Sequence, residues 1–409
     1  MERRVVITSA AAITPIGKEK NIIMDNLSNG VSGIKNIRDD DVLKSYLKTD
    51  VFGSIDYPIE YDFKRIHRKN LGPVGYYACQ VAKEALNASG LDQEFISSGR
   101  MGVAFGSTHG SPLVEREMFK TFFQEDFDLG KVDPAKYLQT LTHTTAANIA
   151  SMFNVTGRTL SSCTACTTGS QSIGFGYEAI KYGIQDAMIC GAADEYDTMT
   201  ILVFDKLLAS SVKYNKTPQL TPRPFDKNRD GMVVGEGAGA IILEEYEFAK
   251  KRGANILAEV IGFASGCNGG NLVNPDVTGV KNTLLTGLNQ SGKNPEDVDF
   301  ISAHATSTNI GDIVESKAIY EVYKDKPLVT GLKSYIGHTM SACGVIETIF
   351  VLYMMENKVI FPTLNLEELD EQCEMINHTG EIREKQIQIA SIQNFAFGGV
   401  NTSLFVKKL

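Results

Sequence analysis

The sequence contains no tryptophan, only six histidines and no apolar run long enough to span a membrane. Its longest apolar stretch, 346–355, is interrupted by Glu347 and Thr348, whereas a spanning helix needs roughly 18 to 20 apolar residues. Acidic residues outnumber basic ones by 49 to 40, which argues against a broad nucleic-acid-binding surface. The apolar run near the start is too short for a signal peptide. We therefore expect a cytoplasmic protein with no membrane span and no nucleic-acid partner.

The seven cysteines are odd in number and scattered, so they do not form a disulfide framework. Cys163 and Cys166 make one C-x-x-C pair, but a structural zinc site would need a second pair at similar spacing. A thioredoxin-like redox pair is an alternative on spacing alone. Cys163 lies on the β-prone run that precedes Cys166, and we expect it in the core. No metal site is expected from these cysteines.

Strand and helix patterns alternate along the 409 residues, which is typical of a layered α/β protein. The predicted strands are 3–9, 100–106, 187–193, 238–243, 255–262, 298–303, 328–330, 387–392 and 402–406. The predicted helices are 71–89, 171–182, 245–252, 280–290, 312–323 and 344–355.

The two halves of the chain resemble each other weakly. Each contains a strand, a turn of small residues with a reactive side chain, and a helix, and each closes with strands. LSSCTACTTG at 160–169 in the first half parallels FISAHATSTNIGD at 300–312 in the second. No low-complexity linker separates the halves, so we expect two domains, 1–252 and 253–409, packed as one body.

Cys166 lies where a β-prone run ends and a helix of small residues begins. Unpaired backbone N–H groups and the helix dipole at such a position favour a thiolate and can bind an oxyanion. A small buried cysteine of the core would show the same pattern. The local sequence alone leaves these two interpretations equally open.

Two of the six histidines, His304 and His338, lie in Gly-, Ser- and Thr-rich turns that follow strands. Together with Cys166 they suit thioester chemistry, because a thiolate can attack an acyl carbonyl and two imidazoles can stabilise an enolate oxygen. Lys333 could fix the charge state of the pair. Zinc binding is the competing interpretation, and the spacing of these residues does not match a zinc pattern.

Two further loops carry side chains that could take part in function. The segment 394–402, NFAFGGVNT, has glycines that permit a tight or mobile backbone, and Phe397 in it is a candidate gate. A β-turn with core phenylalanines is the simpler interpretation of the same pattern. The polar turn at 223–231 is expected to be structural and ion-paired.

Five motifs together resemble the elongating β-ketoacyl-acyl carrier protein synthases of the thiolase superfamily. They occur in the family's order and cover essentially the whole chain. The resemblance implies a thiolase fold, with two similar βαβαβαββ halves in a five-layered α-β-α-β-α arrangement. The motifs are TAC at 164–166, RPFDKNRDGMVVGEGAG at 223–239, HATST at 304–308, Lys333 with GH at 337–338, and FGGVN at 397–401.

The resemblance also implies a role for each matching residue. Cys166 would accept the acyl group, and His304 with His338 would support decarboxylation of malonyl-acyl carrier protein and stabilise the enolate. Lys333 would organise the histidines, and Glu347 would pair with it. The reaction needs no metal and no organic cofactor. The remaining implied positions are an oxyanion hole and gate at Phe397 and Gly398, a phosphopantetheine site at Thr306 and Thr308, and an acyl pocket at Thr108 and Phe204.

The family's partner is acyl carrier protein, which is acidic and therefore needs a basic docking surface. The densest basic run contains Lys64, Arg65, Arg68 and Lys69, in a region that contacts carrier protein in the family. A solvated helix face would show the same charges. We also expect a homodimer, or a heterodimer with a subunit like a chain-length factor.

Three positions depart from the family's usual residues and change the expected pathway. Ala305 and Ala396 replace glycines, and the turn at 339–343 reads TMSAC. These variants resemble ketosynthases of polyene-type pathways, such as those for aryl polyenes, so the pathway is either fatty acid or polyene biosynthesis. Cys343 keeps a thiolase-type acyl-CoA acyltransferase as an alternative.

Overall fold

The computed structural model describes residues 2–38, 43–123, 132–270 and 275–409, together with residues 128 and 130. In these residues the strands are β1 Val5–Ile13, β2 Ile34–Asn36, β3 Val51–Gly53, β4 Met101–Gly106, β5 Thr159–Leu160, β6 Ala187–Asp194, β7 Gly237–Glu245, β8 Ala258–Cys267, β9 Phe300–Ser302, β10 Leu328–Thr330, β11 Val359–Ile360, β12 Asn377–His378, β13 Arg383–Glu384, β14 Ile389–Phe395 and β15 Val400–Lys407.

The helices in the same residues are α1 Lys20–Ser28, α2 Arg65–Arg68, α3 Pro73–Ser89, α4 Gln93–Ile96, α5 Pro112–Phe122, α6 Pro134–Thr140, α7 Thr144–Phe153, α8 Thr168–Lys181, α9 Thr198–Lys206, α10 Tyr246–Lys251, α11 Val277–Ser291, α12 Asn309–Tyr323, α13 Lys333–Ile336 and α14 Cys343–Asn357. None of these described helices has the length and apolar character of a membrane span.

Eleven strands form one sheet in the order β12-β10-β9-β14-β15-β8-β1-β7-β6-β4-β5. On one side, β7 is antiparallel to β1 and β6, and β4 is parallel to β6 and β5. On the other side, β15 is antiparallel to β8 and β14, and β9 is parallel to β14 and β10. Apart from β12 at one edge, the sheet therefore consists of two five-strand sets, one with β1 and β4 to β7 and one with β8 to β10, β14 and β15. The two sets share one topology, and the predicted internal repeat is confirmed.

Helices α8 and α14 lie between the two sets of strands and pack against each other and against strands of both sets. Every residue of α14 from Cys343 to Met355 is buried, as expected of a helix that is apolar on all sides and surrounded by protein. Helices α3 and α7 cover the outer face of the first set, and α11 covers that of the second, with α12 against it. The resulting order of layers is α-β-α-β-α, as predicted.

The first turns of α8 and α14 meet closely at two glycines in equivalent positions. A Cβ atom at Gly169 would lie 2.9 Å from the carbonyl oxygen of Ser341, and one at Gly344 would lie 2.2 Å from Ser170 Oγ. Any larger residue would push the two helices apart. This contact brings together the turns that precede the two helices, and those turns carry the candidate site.

The polar turn at 223–231 is structural, as predicted. Arg223 pairs with Asp226 at 3.2 Å and with Glu367 at 3.0 Å. Arg229 pairs with Asp370 at 2.7 Å and lies 3.6 Å from Asp312 of α12. These pairs tie the turn to the start of α12, which directly follows the loop that carries His304.

Candidate active site

Cys166 lies in a short 3-10 turn, Ala165–Thr167, that leads directly into α8. Its side chain is buried, with 6% of the residue exposed, and it lines a cavity of about 350 Å³. Ala165 has a φ of +49°, in the left-handed region, which costs an L-residue roughly 1–2 kcal/mol. The sharp turn places the cysteine at the start of a helix and facing the cavity.

His338 comes from the second half and approaches the same thiol. Its Nε2 atom lies 2.9 Å from Cys166 Sγ. Gly337, with a φ of +72°, turns the chain after α13, and the His338 backbone N–H donates to the carbonyl oxygen of Val233 at 2.7 Å. The two predicted partners, 172 residues apart in sequence, are therefore in hydrogen-bond contact.

His304 completes the group at the end of β9. Its ring centroid is 5.2 Å from that of His338, with the ring planes at 89°. One ligand atom each from Cys166, His304 and His338 lies within 4.8 Å of the others, and all three residues are buried. The structure thus brings together the three side chains that the sequence singled out.

Glu315 in α12 holds the turn that carries His304, and no pattern in the sequence indicated this role. Its carboxylate accepts the backbone N–H groups of His304 and Ala305, each at 2.7 Å. Ala305 has a φ of +36°, a conformation that is easier for the glycine usual in the family. Burial raises the pKa of Glu315 to about 8, although both N–H groups oppose this.

Lys333 and Glu347 form the expected pair, with Nζ and Oε1 2.5 Å apart and both side chains buried. Asn394 of β14 donates to the other oxygen of Glu347 at 2.8 Å, and its own oxygen accepts the Ser170 hydroxyl at 2.5 Å. Burial alone would lower the pKa of Lys333, but the Glu347 carboxylate outweighs it and the pKa is raised. Lys333 is therefore a fixed positive charge beneath the site.

Both histidines are uncharged near neutral pH. Burial is the largest cause that holds the pKa values of His304 and His338 well below the usual range, and the Lys333 ammonium adds to it. Burial also raises the pKa of Cys166 to about 12, while Lys333 and the backbone N–H groups of Cys166 and Phe397 oppose the rise. The resting pair is thus a thiol and a neutral imidazole. The helix terminus favours a thiolate, but burial acts in the opposite direction and outweighs it.

Asp194, at the end of β6, is a second buried carboxylate that sequence reasoning missed. Its oxygens accept the Ser341 backbone N–H at 2.8 Å, the Thr108 hydroxyl at 2.7 Å and the Thr108 backbone N–H at 3.1 Å. Ser341 lies three residues after His338. The carboxylate of the first half therefore anchors the turn of the second half that presents His338 to the thiol.

The turn before α14 repeats the turn before α8. Met340 has a φ of +48°, matching the +49° of Ala165, and each begins a 3-10 turn that continues into a helix. Ser341 stands in the position that Cys166 has in the first half. Both halves therefore use the same strained turn, and the cysteine belongs to the first.

The cavity above the three side chains has both polar and apolar walls. Thr306 and Thr308 line it, and their hydroxyl oxygens are 3.1 Å apart. Phe397 is 41% exposed, so it is not a core phenylalanine, and its ring lies 5.4 Å from that of Phe204. Gly398, which follows, has a φ of +93°. Further apolar lining residues are Leu207, Leu208, Met232, Ile310 and Val314.

Thr108 and Cys163 lie apart from this cavity. Thr108 is not among the residues that line it, because its hydroxyl and backbone are bonded to Asp194. Cys163 is exposed, with Sγ 3.6 Å from the carbonyl oxygen of Thr108, so the prediction that it lies in the core is wrong. β5 ends at Leu160, and the chain has left the sheet before it reaches Cys163.

The basic residues Lys64, Arg65, Arg68 and Lys69 are all exposed and belong to α2 or cap its two ends. Ile66 between them is also exposed, at 67%. The segment therefore presents a basic surface with one apolar side chain.

The chain is similar to known proteins over its whole length. The family profile of the β-ketoacyl synthase N-terminal domain matches residues 2–249, and that of the C-terminal domain matches residues 257–367. The chain is 32% identical to 3-oxoacyl-[acyl-carrier-protein] synthase 1 of Haemophilus influenzae over 412 residues, which is 99% of each protein.

Two solved structures have the same fold over their whole length. The crystal structure of a β-ketoacyl synthase from Burkholderia phymatum has a TM-score of 0.95 at 37% identity, covering 100% of both chains. A chain from the complex of a type II polyketide synthase acyl-carrier protein with its ketosynthase has a TM-score of 0.91 at 27% identity, again over 100% of both. The matched family profiles and the full-length relatives establish that this chain belongs to the β-ketoacyl synthase family of condensing acyltransferases.

Proposed function

We propose that the chain condenses malonyl-acyl carrier protein with an acyl group carried on Cys166, releasing CO2 and forming a 3-oxoacyl-acyl carrier protein. The observation that carries this proposal is the 2.9 Å contact between Cys166 Sγ and His338 Nε2 at the base of the cavity, with His304 beside it. The name of the Haemophilus influenzae relative supports substrates bound to carrier protein.

In the first half-reaction, Cys166 attacks the thioester carbonyl of an acyl-carrier protein. His338 Nε2 takes the thiol proton as the new S–C bond forms, and the proton then passes to the departing carrier thiolate. The backbone N–H groups of Cys166 and Phe397 both lie near the Cys166 sulfur, and we assign them as donors to the oxyanion that forms on the adjacent carbonyl. The product is an acyl thioester on Cys166 and a free carrier thiol.

In the second half-reaction, the C–C bond between the malonyl carboxylate and its methylene breaks, and CO2 leaves. The electron pair enters the thioester as an enolate, which His304 stabilises as a neutral N–H donor, and His338 does so once proton exchange with solvent has moved its ring proton from Nδ1 to Nε2. The enolate carbon attacks the acyl thioester, and the Cys166 thiolate leaves and takes up a proton from solvent. The uncharged state of both imidazoles, set by burial and Lys333, suits this role because they donate without giving up a full proton.

The remaining cavity residues fit the rest of such a substrate. The hydroxyl groups of Thr306 and Thr308 are placed to bond a phosphopantetheine arm on its way to Cys166. Phe204 supplies an apolar wall, and Phe397 with Gly398 forms the proposed gate above the sulfur. Thr108 stays a predicted acyl-pocket residue, and its hydroxyl is bonded to Asp194, the carboxylate that also accepts the Ser341 backbone N–H.

The thiolase alternative depends on Cys343 as a second reactive thiol. Cys343 Sγ instead donates to the carbonyl oxygen of Cys166 at 3.2 Å, and the residue is fully buried in the first turn of α14. It is absent from the residues that line the cavity. This arrangement favours the condensation over thiolysis by Cys343.

Several broader expectations belong to the same proposal. Acyl carrier protein docks on the basic surface at Lys64, Arg65, Arg68 and Lys69, and the chain works as a homodimer or with a subunit like a chain-length factor. The halves 1–252 and 253–409 act as one unit, since the central helices pack against strands of both. A cytoplasmic location and a polyene-type pathway stay predictions.

Separating the two half-reactions tests this function directly. We expect Cys166→Ala to release CO2 from malonyl-acyl carrier protein while forming no 3-oxoacyl product. We expect His304→Ala to become acylated while its CO2 release falls by about 100-fold or more, because one enolate donor is lost. Labelled CO2 and the mass of the carrier-bound product give the two readouts.

The exposed His143→Ala variant is the matched control, and both half-reactions should continue in it. Normal CO2 release by His304→Ala, or 3-oxoacyl product from Cys166→Ala, would contradict the proposed roles.

Glu315→Gln tests whether the carboxylate positions His304. The amide can accept only one of the two backbone N–H groups, so the turn at His304 and Ala305 should loosen. We expect CO2 release to slow by about tenfold while acylation of Cys166 stays close to normal. Glu321→Gln on the same helix, which removes an exposed pair with Lys281, should leave both steps unchanged. Equal loss of both half-reactions would instead indicate general destabilisation.

Charge reversal on α2 tests the docking surface. We expect Arg65→Glu, Arg68→Glu and Lys69→Glu together to raise the KM for acyl-carrier protein roughly tenfold, with kcat nearly unchanged. The salt dependence of the KM should also weaken, because part of the electrostatic attraction is lost.

A second triple variant makes the same change in net charge elsewhere. Lys250→Glu, Lys251→Glu and Lys385→Glu alter exposed residues in and near α10 and β13 and should leave the KM unchanged. The docking assignment fails if both triple variants raise the KM equally or if neither does.

A further inference from the structure

The side chains at the base of the cavity also form a set of zinc ligands. One sulfur and two ring nitrogens, from Cys166, His304 and His338, lie within 4.8 Å of one another. Tetrahedral zinc, with Zn–S near 2.3 Å and Zn–N near 2.0 Å, places its ligand atoms roughly 3.3 to 3.6 Å apart. Side-chain movements of about 1 Å would therefore convert the observed arrangement into three corners of a zinc site.

We propose that Cys166, His304 and His338 bind Zn²⁺ in the enzyme free of substrate, and that the bound ion inhibits acyl transfer. On binding, the Cys166 thiol releases its proton to solvent and a sulfur–zinc bond forms. Each imidazole supplies a ring-nitrogen lone pair, and a water molecule from the cavity takes the fourth position. No electron transfer is involved.

The surroundings permit a dication at this place. Lys333 is the positive charge that would oppose it, and the Glu347 carboxylate, 2.5 Å from its ammonium group, offsets part of that opposition. Asp194 lies close enough to influence the Cys166 sulfur and adds a carboxyl group on that side. The cavity leaves room for the water that a three-ligand zinc ion carries.

The hydrogen bonding of the second ring nitrogen of each histidine affects how tightly the site binds zinc. Within the described residues, the Nδ1 atoms of His304 and His338 are buried and have no hydrogen-bond partner. Permanent zinc centres fix each ligating histidine through a bond from its other ring nitrogen. Zinc should therefore bind reversibly here, as an inhibitor that chelators remove. The sequence spacing argued against a structural zinc site, whereas the proposed inhibitory site is assembled only by the fold.

Inhibition rests on the proposed function, whereas binding does not, so the first test uses no substrate. Co²⁺ added to the full-length chain should produce the near-ultraviolet absorption of a cobalt–thiolate bond at one ion per chain, and Zn²⁺ should displace it. Cys166→Ala should lose this band, and Cys163→Ala, which removes the exposed cysteine of the same C-x-x-C pair, should keep it. His304→Ala should bind about tenfold more weakly or worse, because one of three protein ligands is lost.

A second test uses the unmodified chain and does not depend on any variant folding. Zn²⁺ should slow the alkylation of Cys166 by iodoacetamide, should inhibit condensation over the same concentration range, and both effects should be reversed by EDTA. A cobalt–thiolate band that survives in Cys166→Ala, or no band in the wild-type chain, would overturn the site. Zinc that protects Cys166 from alkylation but leaves condensation unaffected would overturn the inhibition. An enzyme that fails to condense its substrates even without metal would contradict the proposed function but not zinc binding.

Discussion

The hydrogen bond between Cys166 and His338, with Sγ and Nε2 2.9 Å apart, crosses from one half of the chain to the other. Cys166 comes from the turn before α8 and His338 from just before the equivalent turn at α14. The close approach of these helices at Gly169 and Gly344 allows the two turns to meet. The paired topology of the sheet matters for function because it holds α8 and α14 side by side.

The chemistry of the site is set more by burial than by attraction between charges. Burial keeps the thiol protonated and both imidazoles neutral, and Lys333 acts through its field rather than by a bond to either histidine. The cost of burying Lys333 is offset by Glu347, which Asn394 in turn holds in place. A neutral thiol–imidazole pair can pass a proton during acyl transfer, and neutral imidazoles can then donate hydrogen bonds to the enolate. The two neutral ring nitrogens, together with the sulfur once it has lost its proton, make the group a candidate zinc site.

Much of the fold and the reactive side chains could be predicted from the sequence, because periodicity and small-residue turns are local signals. Such signals and the family motifs predicted the strands and helices of the repeat. They also predicted the ion-paired turn at 223–231 and the grouping of Cys166 with the histidines. Glu315 and Asp194 were missed, since their contacts are with backbone N–H groups distant in the fold, which leave no pattern in the sequence. Cys163 was misplaced because its C-x-x-C spacing does not reveal that β5 is only two residues long.

The proposed mechanism depends on Cys166 as the carrier of the acyl chain, and mass spectrometry of the intact chain after incubation with a panel of acyl-carrier proteins is the direct test of that role. We expect one acyl adduct per chain, located on the peptide that contains Cys166, present in Cys163→Ala and absent in Cys166→Ala. An adduct on Cys163 or Cys343, or no adduct with any member of the panel, would contradict it.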